Sequence, residues 1–151
     1  MKFWRSLFDD SDRQQIIIRL RTLQSDVKAR WGKMNAPRMV AHLTDQMHHT
    51  LGDVPVKAKP GLLRLRPVRF ASIYLVPWPK GRVQGPPEAY VTQPASWEKD
   101  VLALEELVKR FASRNPDDQW SDHALMGRMT GRDWGVFCYK HFNHHLNQFG
   151  V

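Results

Sequence analysis

Apolar residues recur every three or four positions in four separate stretches of this chain, and a period near 3.6 is one that only helices with a single buried face satisfy. Ile16, Leu20, Leu23 and Val27 form the first stripe. Ser11, with acids beside it, is a fitting N-cap, and the spacing predicts a helix from about Ser11 to Trp31, stopped by Gly32. Asn35 and Pro37 open a second helix whose apolar face is Val40, Leu43 and Met47, with Gly52 at its end. A third starts at Ser96, with Val101, Leu104, Val108 and Phe111 in one stripe and Glu98 and Asp100 favouring the helix dipole. The fourth begins at Thr130 or Gly131 and runs to Phe149, followed by Gly150. No stretch alternates in the manner of a strand, so an all-α four-helix bundle is expected, a single domain over residues 1–151.

Loop lengths refine this expectation. The link between the first two helices is short, so they should run antiparallel. The connection Asp53–Ala95 holds most of the prolines and is long enough to return along the bundle, so helices two and three can run parallel. A local helix is expected near Phe70–Val76. So long an irregular link is often functional.

Composition narrows the class. The 151 residues are 42% hydrophobic and 25% charged, as in an ordinary globular domain. No apolar run approaches the ~20 residues that span a bilayer, so no membrane partner is expected. The opening "MKFWRSLFDD" lacks a signal peptide's apolar core, and Cys138 is the single cysteine. A cytoplasmic location is the expectation. A formal charge of +8 permits an anionic partner, yet no nucleic-acid-binding motif accompanies it.

The chemistry concentrates in "KHFNHHLNQFG", residues 140–150. At about 100° per residue, His141 and His145 fall within the apolar stripe that also carries Trp134, Phe137 and Cys138. His144 lies at its margin, and Lys140, Asn143 and Asn147 occupy the polar face. H-x-x-x-H on a buried face is how one helix presents two imidazoles to one ion. The alternative is two core histidines satisfied by hydrogen bonds. A metal site needs a third ligand, and the candidates on helix two are His42, His48 and His49. If helices two and four are antiparallel, His42 shares a level with His145, while His49 lies about 10 Å lower, near Cys138. His42 is therefore selected. His48 is expected near solvent, His49 near solvent or as a core or supporting group, His123 as a loop-packing or N-cap-region residue, and Cys138 as core, with nucleophile or ligand as its alternative. Asp45 and Gln148, each about one turn from a ligand, could orient imidazoles through hydrogen bonds. Five cations, Lys57, Lys59, Arg64, Arg66 and Arg69, are read either as a solvated run or as a rim attracting an anionic substrate. Trp78, between two prolines, is a candidate pocket wall, with plain packing as the alternative.

These residues resemble the DinB-like (YfiT-like) superfamily. The resemblance is carried by "RWGKMNAPRMVAHLTDQM" and "HFNHHLNQFG", and more closely by "DHALMGRMTGRDWGVFCYKHFNHHLNQFG", which is similar to an uncharacterised subgroup. Ala124 departs from it, since proline is expected after the histidine. The resemblance implies an up-down-down-up topology and a zinc or nickel ion held by His42, His141 and His145. It also implies activation of a low-molecular-weight thiol for S-transfer or isomerisation. Three function classes are carried forward: a metal-dependent thiol transferase or isomerase, a non-catalytic metal-binding or interaction bundle, and a basic nucleic-acid-binding protein. A homodimer is permitted by the sequence.

Overall fold

A computed structural model describes residues 3–82 and 85–151, and all its regular elements are helical. In chain order these are α1 (Asp10–Thr22), α2 (Ala36–Leu51), α3 (Arg66–Phe70), α4 (Trp97–Ser113) and α5 (Gly131–Gln148). A π-helical turn, Ala71–Leu75, continues α3, and 3-10 turns lie at Leu62–Arg64 and Pro87–Tyr90. Among the described residues no strand forms; His123 and Gly127 make an isolated bridge. No helix is long and apolar enough to cross a membrane.

The helix ends follow local chemistry. Asn35 caps α2 by accepting the Arg38 N–H, and Gly52 closes it at φ 80°, a left-handed conformation that costs glycine little. Thr130 and Asp133 exchange side-chain and backbone hydrogen bonds in a capping box that starts α5. At α4 the expected start is right but the means differ. Ser96 makes no side-chain cap bond; the Asp100 carboxylate accepts from the Ala95 and Ser96 N–H groups instead.

The first helix departs most from expectation. Asp9, not Ser11, is the N-cap, accepting the Asp12 N–H, and the helix ends at Thr22 rather than Trp31. Leu23 turns extended at ψ 139° and donates its N–H to Arg19 O. Leu23 and Val27 still pack on the core, but from an irregular segment. The apolar spacing thus reports burial and not continuous helix. Beyond Leu23 the chain makes a turn at Ser25–Asp26, closed by the Val27 N–H donating to Gln24 O at 3.3 Å, and does not resume the helix.

One core joins the elements. Trp134, Phe111, Phe142, Leu20, Met39, Leu43, Met47 and Leu104 are all fully buried, each aliphatic one contributing about 1.5–3 kcal/mol. α1 packs on α5 and α4, and α2 packs on α4 and α5. Gly135 lets the N-terminal segment lie directly on α5: Leu7 N–H donates to Gly135 O at 3.1 Å, and a Cβ there would overlap Ser6 Oγ. Between α1 and α4, the buried Glu105 carboxylate receives a bidentate bond from Arg21 at 2.8 Å twice.

The connection after α2 is laid down as a lid over α5. Lys140, one residue before the first histidine of α5, aims its ammonium at the carbonyls of Ser72, Ile73 and Val76. These are free at the end of the α3 segment, where a cation is favoured. The Trp78 indole N–H adds a bond to Ser72 O at 3.1 Å.

Candidate metal centre

The site forms where α2 faces the last two turns of α5. His141 Nε2 lies 3.0 Å from His42 Nε2 and 3.1 Å from His145 Nε2. The three rings offer one nitrogen each within 4.8 Å of one another, a grouping able to hold an ion. Nitrogens on a tetrahedral ion at about 2.05 Å would stand about 3.3 Å apart, close to the two separations that share His141 Nε2.

The outer nitrogens decide where the protons are. His42 Nδ1 sits 2.7 Å from Ala89 O, a pure acceptor, so Nδ1 carries the hydrogen and Nε2 keeps its lone pair. His145 Nδ1 sits 2.9 Å from Gln148 Oε1. The Gln148 amide is oriented by its own Nε2–H, which donates to Trp31 O at 2.8 Å, so His145 Nε2 is also a lone pair. Two lone pairs therefore point at His141 Nε2, which can carry one proton at most while neutral. His141 Nδ1 is buried and has no partner among the described residues. As a set of hydrogen bonds this trio is under-satisfied; a cation would satisfy all three inner nitrogens.

Burial keeps the rings neutral, the state a ligand needs. Desolvation lowers the His42 pKa, and it holds His141 well below the usual range, helped by the neighbouring His145 and His42. His145 is pushed down to about 3, chiefly by desolvation.

The supporting residues behave differently from one another. Gln148 orients His145 directly, as its spacing suggests. Asp45 does not touch His42. Its carboxylate accepts from the Val91 and Thr92 N–H groups at 2.9 Å each and from the Thr92 hydroxyl. It thereby pins the segment just after Ala89 and Tyr90, whose carbonyl and ring hold His42. The Tyr90 ring stacks on His42 at 4.7 Å and 12°. Asp45→Asn would turn an amide toward backbone donors. We expect a loss of about 2 kcal/mol in denaturant stability and weaker metal uptake, because the Ala89 carbonyl loses its fixed position. Unchanged metal affinity in a folded Asp45→Asn protein would mean that His42 is positioned without it.

The other histidines separate cleanly. His48 pairs with Asp53 at 2.8 Å on the surface. His49 is buried but lies outside the trio. His144 is partly buried between Trp31 and Trp78, with ring centroids at 5.9 and 6.1 Å. His123 accepts the Leu125 and Met126 N–H groups on Nδ1, a loop-organising role. Cys138 is core: fully buried beside Thr50, its thiol is pushed up to about 12 by desolvation. That is far from a nucleophile's range.

A cavity of about 370 Å³ opens against the trio, with His42, His141 and His145 in its wall. Trp78, Val76, Phe137, Met126 and Tyr90 make most of the remainder apolar. The expected basic rim is absent from this lining. Arg69 donates to Met126 O at 2.9 Å, Arg64 reaches Ala124 O at 3.4 Å, and Lys59 pairs with Glu88. Arg64 and Arg69 tie the connection to the loop before α5, and the Lys59–Glu88 pair lies within the connection itself. Trp78 combines its two readings, packing on Phe137 and His141 while walling the cavity. Lys140, Tyr90 and the Ala89 carbonyl were not legible as site-builders. Gln46, one turn after His42 on the same face, is legible by spacing as a wall of the site.

No curated protein and no solved structure matches the chain. The profile of the family described as "Protein of unknown function (DUF1569)" matches residues 5–150, and the chain belongs to that family.

Proposed function

We propose that this chain binds one divalent ion, zinc or nickel, through Nε2 of His42, His141 and His145, and that the ion's open side faces the apolar cavity. The carrying observation is the convergence of three inner nitrogens, two of them fixed as lone pairs by Ala89 O and Gln148 Oε1. Three imidazoles leave a coordination position free, the pattern of a catalytic rather than a structural site. A bound ion would supply Lewis acidity, lowering the pKa of a coordinated thiol. The chain's own residues would then orient the imidazoles and exclude water with Trp78, Phe137 and Tyr90. We read the activity as metal-dependent thiol transfer or isomerisation on a substrate with an apolar body.

We also infer the DinB-like four-helix architecture with up-down-down-up order. Contacts at matching ends support it. Leu7 meets Gly135 and Arg19 meets Asn143, so α1 and α5 run together. His42 meets His145 while Thr50 meets Cys138, so α2 opposes α5. Arg114 reaches Leu51 O and Arg110 grips Asp53, so α2 and α4 end together.

Calorimetric titration of zinc and nickel into tag-free, chelator-treated protein tests the metal reading. One ion per chain is expected. Absence of uptake, or uptake that survives loss of any of the three histidines, removes the proposal. A screen of small apolar and anionic thiols with electrophilic acceptors then tests turnover, with apolar thiols expected to be preferred.

A further inference from the structure

Two of the uncharged polar side chains that line the cavity besides the trio, His123 and Gln46, have a fixed hydrogen-bonding sense. His123 Nδ1 accepts the Leu125 N–H at 3.0 Å and the Met126 N–H at 3.2 Å, so the proton of the neutral ring is on Nε2. No described residue accepts that N–H, although the ring is 8% exposed. The ring lies against Phe137 and Trp134, at 4.9 and 5.5 Å between centroids. Its loop is closed by reciprocal backbone bonds of 2.8 Å between His123 and Gly127. Arg64 and Arg69 hold the loop's carbonyls from outside. Desolvation lowers the ring's pKa to about 4, so it is neutral at physiological pH.

Gln46 supplies the opposite sense. The Thr50 hydroxyl donates to Gln46 O at 2.9 Å, so Thr50 Oγ1 must accept from Gln46 Nε2–H at 3.3 Å. Gln46 Oε1 is left without a partner among the described residues, beside the same cavity.

We propose that His123 is a positioning residue that donates its Nε2–H to a carbonyl-type oxygen of a neutral, mainly apolar ligand held in this cavity. Gln46 Oε1 is the complementary acceptor for such a ligand's N–H. The inference deepens the metal reading and rests on it for the ligand's second anchor. It also specifies the substrate class: an aryl or alkyl carbonyl compound, not an anion. A loop built only to be stable would need just the Nδ1 acceptor, which an asparagine side-chain oxygen supplies equally well.

That equivalence gives the test. His123→Asn keeps the loop acceptor and removes the cavity donor; His123→Gln reaches toward the cavity with an amide N–H and loses the loop acceptor. Two probes are titrated into each protein: nicotinamide, whose pyridine nitrogen can ligate the metal and leaves its carboxamide free, with cobalt(II)-loaded chain, and benzamide with metal-free chain. Cobalt uptake, read from its visible spectrum, is expected to be the same in all three proteins. Both probes should bind His123→Asn about tenfold more weakly than the original chain, about one lost hydrogen bond. Binding to His123→Gln should be largely retained, although that protein is less stable. Equal probe affinity in His123→Asn and the original chain, or weaker binding only in His123→Gln, overturns the proposal in favour of a loop-folding role. Failure of the original chain to bind either probe also overturns it. If the original chain takes up no cobalt, the metal reading fails, and the benzamide titration still decides the role of His123.

Discussion

Replacing His141 with alanine is expected to abolish stoichiometric metal binding while leaving the protein folded. Both short nitrogen–nitrogen separations, 3.0 and 3.1 Å, have His141 Nε2 as one end, so it is the shared vertex of the trio. Two remaining imidazoles would bind a zinc or nickel ion at least about 10³-fold more weakly, since each ligand carries several kcal/mol of a site's affinity. The fold should tolerate the change unusually well for a 7%-exposed ring. His141 Nδ1 is a buried polar atom without a partner among the described residues, so removing the ring also removes an unsatisfied group and offsets part of the cavity cost. The contrast with the neighbouring ligands is informative. His42→Ala would orphan the Ala89 carbonyl, and His145→Ala would free the Gln148 amide that ties Trp31 to α5. Both should cost more stability than His141→Ala. The measurement is thermal unfolding with and without metal. An ion at a thousand times its Kd should stabilise the original chain by about 4 kcal/mol and His141→Ala not at all. A metal-induced shift of equal size in both would place the ion elsewhere.

The parts of this site legible in sequence are those governed by short-range chemistry. Asn35, Gly52 and Thr130 mark helix ends because caps are made by side chains next to the orphan backbone groups they serve. His141 and His145 share a face by spacing alone, and matching their depth with His42 takes the rise per residue together with an antiparallel pairing of the two helices. What was illegible depends on carbonyls, which every residue has and no sequence distinguishes. Ala89 O orients His42, Trp31 O orients Gln148, and the carbonyls of Ser72, Ile73 and Val76 receive Lys140. A lysine on the polar side of α5 looks solvated until the chain from 66 to 76 is laid over it. The same blindness made Arg64 and Arg69 look like a rim: guanidinium groups seek anions, but here they find the backbone oxygens of the loop before α5. Helix α1 shows the reverse case: the burial pattern through Val27 is real, but the backbone leaves the helix at Leu23.

Acid should unfold the metal-free protein as pH falls toward 4, before its carboxylates are fully protonated. Desolvation lowers the pKa values of His42, His123, His141 and His145 below the ordinary 6.5, to about 4 for His123 and about 3 for His145. Between each lowered value and 6.5, the unfolded chain binds a proton that the folded chain refuses. Stability therefore rises with pH across that window, is fully present above about pH 7, and is lost as pH falls from 6.5 through 4 toward 3. For His123 alone, a window of roughly 2.5 units corresponds to about 3 kcal/mol at 1.36 kcal/mol per unit. The trio adds to this, though less than additively, since its rings repel one another once charged. Against a usual total of about 5–15 kcal/mol, that is enough to unfold a domain of this size. Urea midpoints measured on chelator-treated protein should be level above pH 7 and drop steeply below pH 6, with unfolding in buffer alone near pH 4. His123→Asn, which cannot take up the proton, should show a shallower decline over the same range. A midpoint that stays level from pH 7 to pH 5 would mean that these imidazoles are hydrated or already charged in the folded protein, and that they are not the dry, neutral ligands on which the metal site depends.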